Sequence, residues 1–329
     1  MRRFTKGVFH MIYKNLKTND GSIMRVSAIA MGSTMAMEAL STSEKHALYD
    51  CYRENGGNCI DTARAYSGGR SESMVAEYLN SGKCRHEIIL STKGGHPTDA
   101  NPQKSRLTRA EILSDLETSL LTLGTDYVDI YWIHKDDPDV PIEDIVETCA
   151  DIIRSGKARI IGASNYTTER MAAAREYALA HDLPPFLGSQ IQWSLAAGDD
   201  EYMYETYGSR SMTPDRYDFY LKNEMFVFAF SSQAQGFFAR AMKQGAQNLS
   251  EDMKAQYLSN DNLLRLARVK DYAKSHNCSI SAPGLAYLIN NRLTCIPIIG
   301  ADNTRMLKES LESVSLAMTA EEADALYKV

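Results

Sequence analysis

Four ionisable residues, each at or just beyond the carboxyl end of a short apolar run, carry the chemistry this sequence offers. Asp61 and Tyr66 lie five residues apart, directly after Gly57-Asn58-Cys59-Ile60. Lys93 ends the run Ile88-Ile89-Leu90-Ser91-Thr92, and His134 ends Val128-Asp129-Ile130-Tyr131-Trp132-Ile133. Successive strands that each deliver a polar side chain at the same end are how a parallel α/β enzyme assembles an active site. A phenol has an ordinary pKa of about 10, so Tyr66 can donate a proton to a developing alkoxide but is sluggish near neutrality unless a cation favours the phenolate. Lys93 can be that cation, and Asp61 can hold the ammonium charged and in place. Two unit charges about 4 Å apart at an effective dielectric near 20 interact by about 4 kcal/mol, enough to move a pKa by up to about three pH units before desolvation subtracts its share. His134 then serves as a hydrogen-bond donor that positions the substrate oxygen. Singly, each residue has an ordinary structural use, as a turn cap, a core aromatic, a snorkelling lysine or a satisfied histidine. Together they give a mechanism.

The elements that must position these residues follow from apolar patterning. Short, nearly continuous apolar runs predict strands over 26–31, 58–61, 87–92, 128–134, 158–163, 186–192, 225–230 and 295–299, as expected when both faces of a strand are buried. Helices are predicted over 43–54, 71–79, 108–123, 142–154, 168–180, 262–276, 282–290 and 304–311. The stretch after Thr108 shows the logic: Thr108 and Glu111 form a capping box, Ile112, Leu113, Leu116, Leu120 and Leu123 share one stripe, and Gly124 closes the helix. Eight strands alternating with helices predict a single (β/α)8 barrel domain over 1–329. Residues 195–213 and 231–261 break the period after strands and read as long loops at the carboxyl face.

In this pattern the chain resembles the aldo-keto reductase family, whose Asp, Tyr, Lys and His tetrad falls on Asp61, Tyr66, Lys93 and His134. The resemblance covers nearly the whole chain. It includes Met31-Gly32-Ser33, Ser71-Glu72, Gly162-Ala163-Ser164-Asn165-Tyr166, Ser189-Gln190-Ile191-Gln192-Trp193-Ser194 and Ile296-Pro297-Ile298-Ile299-Gly300. It implies an NADP or NAD cofactor lying across the carboxyl face, with a small polar carbonyl compound or polyol as substrate. Ser164, Asn165 and Gln190 would bond the nicotinamide carboxamide, and Trp193 would stack on its ring. Gly32 and Ser33 at the first strand end would border the cofactor, and Ser231, with Gln233 and Gly236 in the following loop, would meet the pyrophosphate. Gly300, Asp302, Arg305 and Glu309 would surround the adenosine end. Relatives commonly have Ser-Pro-Leu-Gly after the seventh strand, whereas this chain has Ser231-Ser232-Gln233-Ala234-Gln235-Gly236. Relatives often place Arg or Lys where this chain has Asp302, so a carboxylate that repels a 2′-phosphate argues for NAD use, with Arg305 and Lys308 able to compensate.

Other chemistries lack their signatures. A net charge of −6 gives no nucleic-acid footprint, and the six cysteines, at 51, 59, 84, 149, 278 and 295, form no C-x-x-C pair. No G-x-G-x-x-G follows a strand, Asn80-Ser81-Gly82-Lys83-Cys84 is not a phosphate loop, and His86-Glu87 has Leu90 where a metalloprotease needs its second His, so no metal is expected. The basic start at 1–6 leads into a stretch too interrupted for a signal peptide, and no run is long enough for a membrane helix. A cytoplasmic location is expected. The main alternative to an enzyme is a cofactor-binding regulatory subunit, since similar proteins serve as potassium-channel β subunits; a barrel that only binds a sugar or nucleotide is a third reading. Tyr202, Tyr204, Tyr207, Arg210 and Gln235 suggest a hydroxylated substrate such as a sugar or polyol, while reaction direction and oligomeric state have no sequence signal.

Overall fold

Eight short strands close into a parallel barrel in the computed structural model, which describes residues 10–329 except 34, 99 and 103. The basic start of the chain lies outside the described residues. An antiparallel hairpin, β1 (Tyr13–Lys17) and β2 (Ile23–Ser27), precedes the barrel. The barrel strands are β3 (Ala30–Gly32), β4 (Cys59–Asp61), β5 (Ile89–Gly94), β6 (Val128–Ile133), β7 (Ala158–Ser164), β8 (Gly188–Gln192), β9 (Phe226–Phe230) and β10 (Cys295–Ile299). Their order around the barrel is β10-β3-β4-β5-β6-β7-β8-β9. This is the (β/α)8 fold.

The helices, in chain order, are α1 (Thr42–Glu54), α2 (Arg70–Gly82), α3 (Arg109–Leu123), α4 (Ile142–Arg154), α5 (Thr168–Ala180), α6 (Asp200–Tyr207), α7 (Pro214–Lys222), α8 (Phe237–Gln244), α9 (Glu251–Tyr257), α10 (Asn260–His276), α11 (Ala282–Ile289), α12 (Thr304–Leu311) and α13 (Ala320–Tyr327). The start of α3 agrees with its sequence signal: the Thr108 side chain accepts from the Glu111 amide, and Gly124 ends the helix at φ 66°. Three differences from the sequence reading have physical causes. The stretch 26–31 is not one strand: Val26 and Ser27 belong to the hairpin, and the barrel strand begins at Ala30. The two regions read as loops contain α6, α8 and α9, whose seven or eight residues are too few for a visible helical period. Helices α7 and α13 were also not anticipated, although Pro214 at the first turn of α7 is a start signal.

Strand alternation sorts the core into two layers. Inward-facing Cys59, Ile89, Ile130, Trp132, Phe226, Phe228 and Ile296 fill the barrel together with Leu16, Met24 and Val26 from the hairpin, which closes one end. Outward-facing residues such as Ile60, Leu90, Tyr131 and Ile191 pack under the helices. Each large inward side chain contributes about 1.5–3 kcal/mol of burial. Asn19, in the hairpin turn, ties it down: its amide nitrogen donates to the Pro185 carbonyl at 2.9 Å and its oxygen accepts from the Ile161 amide at 2.9 Å.

Candidate active site

The alternation that fills the barrel also raises the tetrad to its open end. On β4, Cys59 and then Asp61 point inward; on β5, Ile89, Ser91 and Lys93 do; on β6, Ile130 and Trp132 do, with His134 one step beyond the strand. Three side chains that are distant in sequence therefore meet. Lys93 Nζ donates to Asp61 Oδ2 at 2.6 Å and to the Thr62 carbonyl at 2.7 Å, and the lysine is fully buried. Asp61 Oδ1 accepts from Ser91 Oγ at 2.7 Å and from Gln190 Nε2 at 3.1 Å, while Trp132 Nε1 donates to Ser91 Oγ at 2.8 Å. The carboxylate is thus held by three neighbours, Lys93, Ser91 and Gln190, and Trp132 fixes Ser91 in turn.

Tyr66 reaches this group through a tight turn. Ser67, Gly68 and Gly69 all take positive φ before α2 begins, and a Cβ on Gly69 would lie 2.2 Å from Arg64 Nη1. The doubled-back chain sets the Tyr66 ring 4.7 Å from Lys93 Nζ and edge-on to His134 at 5.5 Å. Ser71, at the start of α2, donates to the Ser33 carbonyl at 2.9 Å, and the buried Glu72 accepts from Thr92 Oγ1 at 2.7 Å on the outer side of β5.

The electrostatics differ from expectation in one respect. Burial pushes the Tyr66 phenol above its ordinary 10, and the positive charge of Lys93 pulls it back only in part. The expected lowering of the phenol by Lys93 is present as a contribution but loses to desolvation. Burial draws the Lys93 ammonium down, yet Asp61 and Tyr66 more than offset this and hold it above 10.5. Burial, followed by the charge of Lys93, depresses His134 well below 6.5. Near neutrality the site therefore presents a protonated phenol, a charged ammonium and a neutral imidazole, which suits proton donation to a developing alkoxide. His134 Nδ1 is buried and has no hydrogen-bond partner among the described residues, and the His96 ring lies 4.7 Å from the His134 ring.

These residues form one side of a cleft of about 1400 Å³, larger than the ~300–1,000 Å³ of a site for one small molecule. Asp61, Tyr66, His134, Gly32, Ser33, Ser164, Asn165, Gln190, Ser231, Gln233, Gly236, Gly300, Arg305 and Glu309 all line it. Lys93 does not, because it lies beneath Tyr66. Four lining residues other than glycine, Ser67, Asn165, Ser231 and Gln235, hold positive φ, a strained backbone that the surrounding structure must enforce. Asn165 is pinned at both ends: its amide nitrogen donates to Ser164 Oγ at 3.0 Å and its oxygen accepts from the Arg210 amide at 3.0 Å.

Three expectations need correction. Trp193 does not line the cleft; it follows Ser189 and Ile191 in facing outward, and its ring packs edge-on against Tyr217 and Tyr287 at 5.9 Å each. On that side of the barrel Phe230 offers a ring to the cleft instead, since it shares the inward register of Phe226 and Phe228. Asp302 is exposed outside the cleft, just before the Asn303 cap of α12, whereas Arg305 lines it beside Glu309 at 3.8 Å. Of the polar loop residues, Tyr207 and Gln235 line the cleft, but Tyr202 is bonded to Asp252, and Tyr204 and Arg210 stack on each other. Lys135, Arg240 and Lys243 line the cleft and were missed, although Lys135 adjoins His134 in sequence.

The cleft fits a nicotinamide dinucleotide. Buried amide and hydroxyl groups of Ser164, Asn165 and Gln190 face it near the tetrad, Phe230 offers a ring, and the amino end of α8 opens onto it with Gly236 at the cap position. Arg240, Lys243 and Arg305 gather on the β9 and β10 side. Among the described residues no helix is long and apolar enough to cross a membrane.

Comparison with known proteins gives concordant results. Residues 28–329 match the profile of the aldo/keto reductase family. The chain is 29% identical over 290 residues to an aryl-alcohol dehydrogenase of Pestalotiopsis microspora, covering 85% of this chain and 71% of that protein. It is 26% identical over 318 residues to a norsolorinic acid reductase of Emericella nidulans, covering 91% and 77%. An aldo-keto reductase of Bacillus subtilis is 38% identical over 132 residues, 40% of each chain.

Proposed function

Since this chain belongs to the aldo/keto reductase family and is an NAD(P)-dependent oxidoreductase, we propose that it reduces the carbonyl carbon of a small polar substrate, or oxidises the corresponding alcohol, with NADP as the favoured cofactor. The observation that carries this reading is the buried Asp61–Lys93 pair set directly under the Tyr66 ring at the floor of a cleft large enough for cofactor and substrate together. When bound, the nicotinamide supplies or receives the hydride at the substrate carbon. Tyr66 gives its hydroxyl proton to the substrate oxygen as negative charge develops there, and takes it back in the oxidative direction. Lys93 stabilises the phenolate left behind, Asp61 keeps the ammonium charged and fixed, and neutral His134 orients the carbonyl oxygen by hydrogen bonding.

Ser164, Asn165 and Gln190 are assigned to the carboxamide, Phe230 to the ring face, and the loop through Ser231, Gln233 and Gly236 to the pyrophosphate. The NADP preference follows from charge. With Asp302 outside the cleft, Arg240, Lys243 and Arg305 outnumber Glu309 at that end, which favours a 2′-phosphate. Tyr66→Phe tests the central assignment: it should retain cofactor binding while losing a factor of roughly 10² to 10⁴ in turnover, the range for removal of a positioned general acid. Turnover within a few-fold of wild type would refute it.

A further inference from the structure

The geometry points to Lys135 as the anchor for a carboxylate on the substrate, so that the carbonyl compound this enzyme takes is an acid such as a formylbenzoate or an aldehyde acid. This deepens the oxidoreductase reading above and rests on it.

Lys135 follows His134 directly and lines the same cleft. Its ammonium donates to the carbonyls of Tyr207 at 2.7 Å and Gly208 at 2.5 Å, at the carboxyl end of α6, and only loosely to Ser209 Oγ at 3.4 Å. Two carbonyls fix the position of the charge without neutralising it. Among the described residues no carboxylate lies within 4.0 Å of Lys135, whereas nearby Arg210 and Arg216 share Asp200 and Arg70 has Glu38. Burial draws Lys135 down to about 8, the mark of a cation partly removed from water without a counter-ion. Its third N–H has only the long 3.4 Å contact to Ser209 Oγ, which a ligand carboxylate can displace.

Among the described residues two carboxylates line the cleft. Asp61 is consumed by Lys93, Ser91 and Gln190, and Glu309 sits beside Arg305 on α12. In the barrel order β6 and β10 are four strands apart of eight, so Lys135 stands diametrically across from α12 and away from the cations assigned to cofactor phosphates. An anionic substrate with its carbonyl at Tyr66 and His134 meets positive charge at Lys135 and no opposing fixed charge; a cationic one meets an unscreened ammonium. A cation at a helix end also stabilises that helix, so capping of α6 is the competing explanation.

Calorimetric titration of 4-formylbenzoate and its methyl ester into protein saturated with oxidised NADP or NAD separates the two, because the aldehyde then has no hydride to accept. The acid should bind about tenfold tighter than the ester, the usual gain from one charge-assisted hydrogen bond. Lys135→Met should bring the two within about twofold, and Lys135→Arg should retain the preference. Equal affinities in the wild type, or a preference unchanged in Lys135→Met, would overturn the proposal, as would equal weakening of both ligands, which assigns Lys135 to the α6 cap alone. Should Lys135→Met not fold, Lys135→Gln and competition by benzoate against the ester in wild type read the same site. Acid-selective binding without turnover on any aldehyde would count against the oxidoreductase reading and leave this site standing.

Discussion

Removing the partner of a buried ammonium gives the sharpest test of the tetrad. In Asp61→Asn the oxygen that accepts from Ser91 and Gln190 can be kept, but Lys93, fully buried, loses the carboxylate 2.6 Å away. The ammonium must then either stay charged without a counter-ion or lose its proton. Deprotonation at pH 7 sets the ceiling: about 3.5 pH units below the ordinary 10.5, at about 1.4 kcal/mol each, is roughly 5 kcal/mol. Breaking a buried pair typically costs about 3–5 kcal/mol, so the two routes agree. The sign with pH differs between the proteins. In the wild type Lys93 is held above 10.5, so its contribution is complete below that value and is lost only as pH rises through the folded-state pKa. In Asp61→Asn burial depresses Lys93 below its unfolded value, so stability should instead rise with pH, by up to about 1.4 kcal/mol per unit between the depressed pKa and 10.5. Urea unfolding at pH 7, 8 and 9 reads both effects, and Asp61→Asn with Lys93→Met should recover much of the loss. A loss below about 1 kcal/mol in Asp61→Asn, or a deficit that does not shrink with pH, would refute the account of Lys93 as a buried cation held by Asp61.

Other consequences can be measured independently. Because the phenol is held above 10 and His134 well below 6.5, kcat/KM for reduction of an uncharged aldehyde, which does not draw on the Lys135 charge, should stay flat between pH 6.5 and 9.5; a break near 7 would mean that His134 titrates in the working range. Phe230→Ala should weaken cofactor binding by about tenfold, the scale of a lost ring contact with its buried area, while Trp193→Phe should leave the affinity within about threefold. The reverse order would restore Trp193 as the stacking ring. Arg305→Ala should lower the ratio of NADP to NAD affinity by about tenfold, as expected for one charge-assisted contact to phosphate, and an unchanged ratio would transfer that role to Arg240 or Lys243.

The tetrad was legible because each of its strands is an apolar run that ends abruptly in an ionisable residue, and a period of two then fixes which way that residue points. The same rule explains the misreadings. Trp193 follows Gln190 by an odd number of residues and so faces the helices, which the motif around it conceals. Phe230 looks like one more apolar residue of its strand, and only its terminal position in the inward register marks it as a cleft residue. Asp302 and Arg305 are three residues apart on either side of a helix cap, where register rather than residue type decides which enters the cleft. The hairpin escaped notice because most of Tyr13–Lys17 is partly exposed and mixed in polarity, with Leu16 its one fully buried apolar anchor.

The closed floor of the barrel governs how the acid is replenished. Below Lys93 the interior is filled by Trp132, Phe226, Phe228 and Ile296 and sealed by the hairpin, and the hydrogen bonds of Asp61 and Lys93 end at Ser91, Trp132, the Thr62 carbonyl and Gln190, which itself faces the cleft. Among the described residues no relay leads a proton down and out. The hydroxyl proton spent by Tyr66 in each reduction therefore has to return through the mouth of the cleft. Proton return and ligand exchange thus share one opening, so a ligand that fills the mouth also stands between the phenol and the solvent that recharges it.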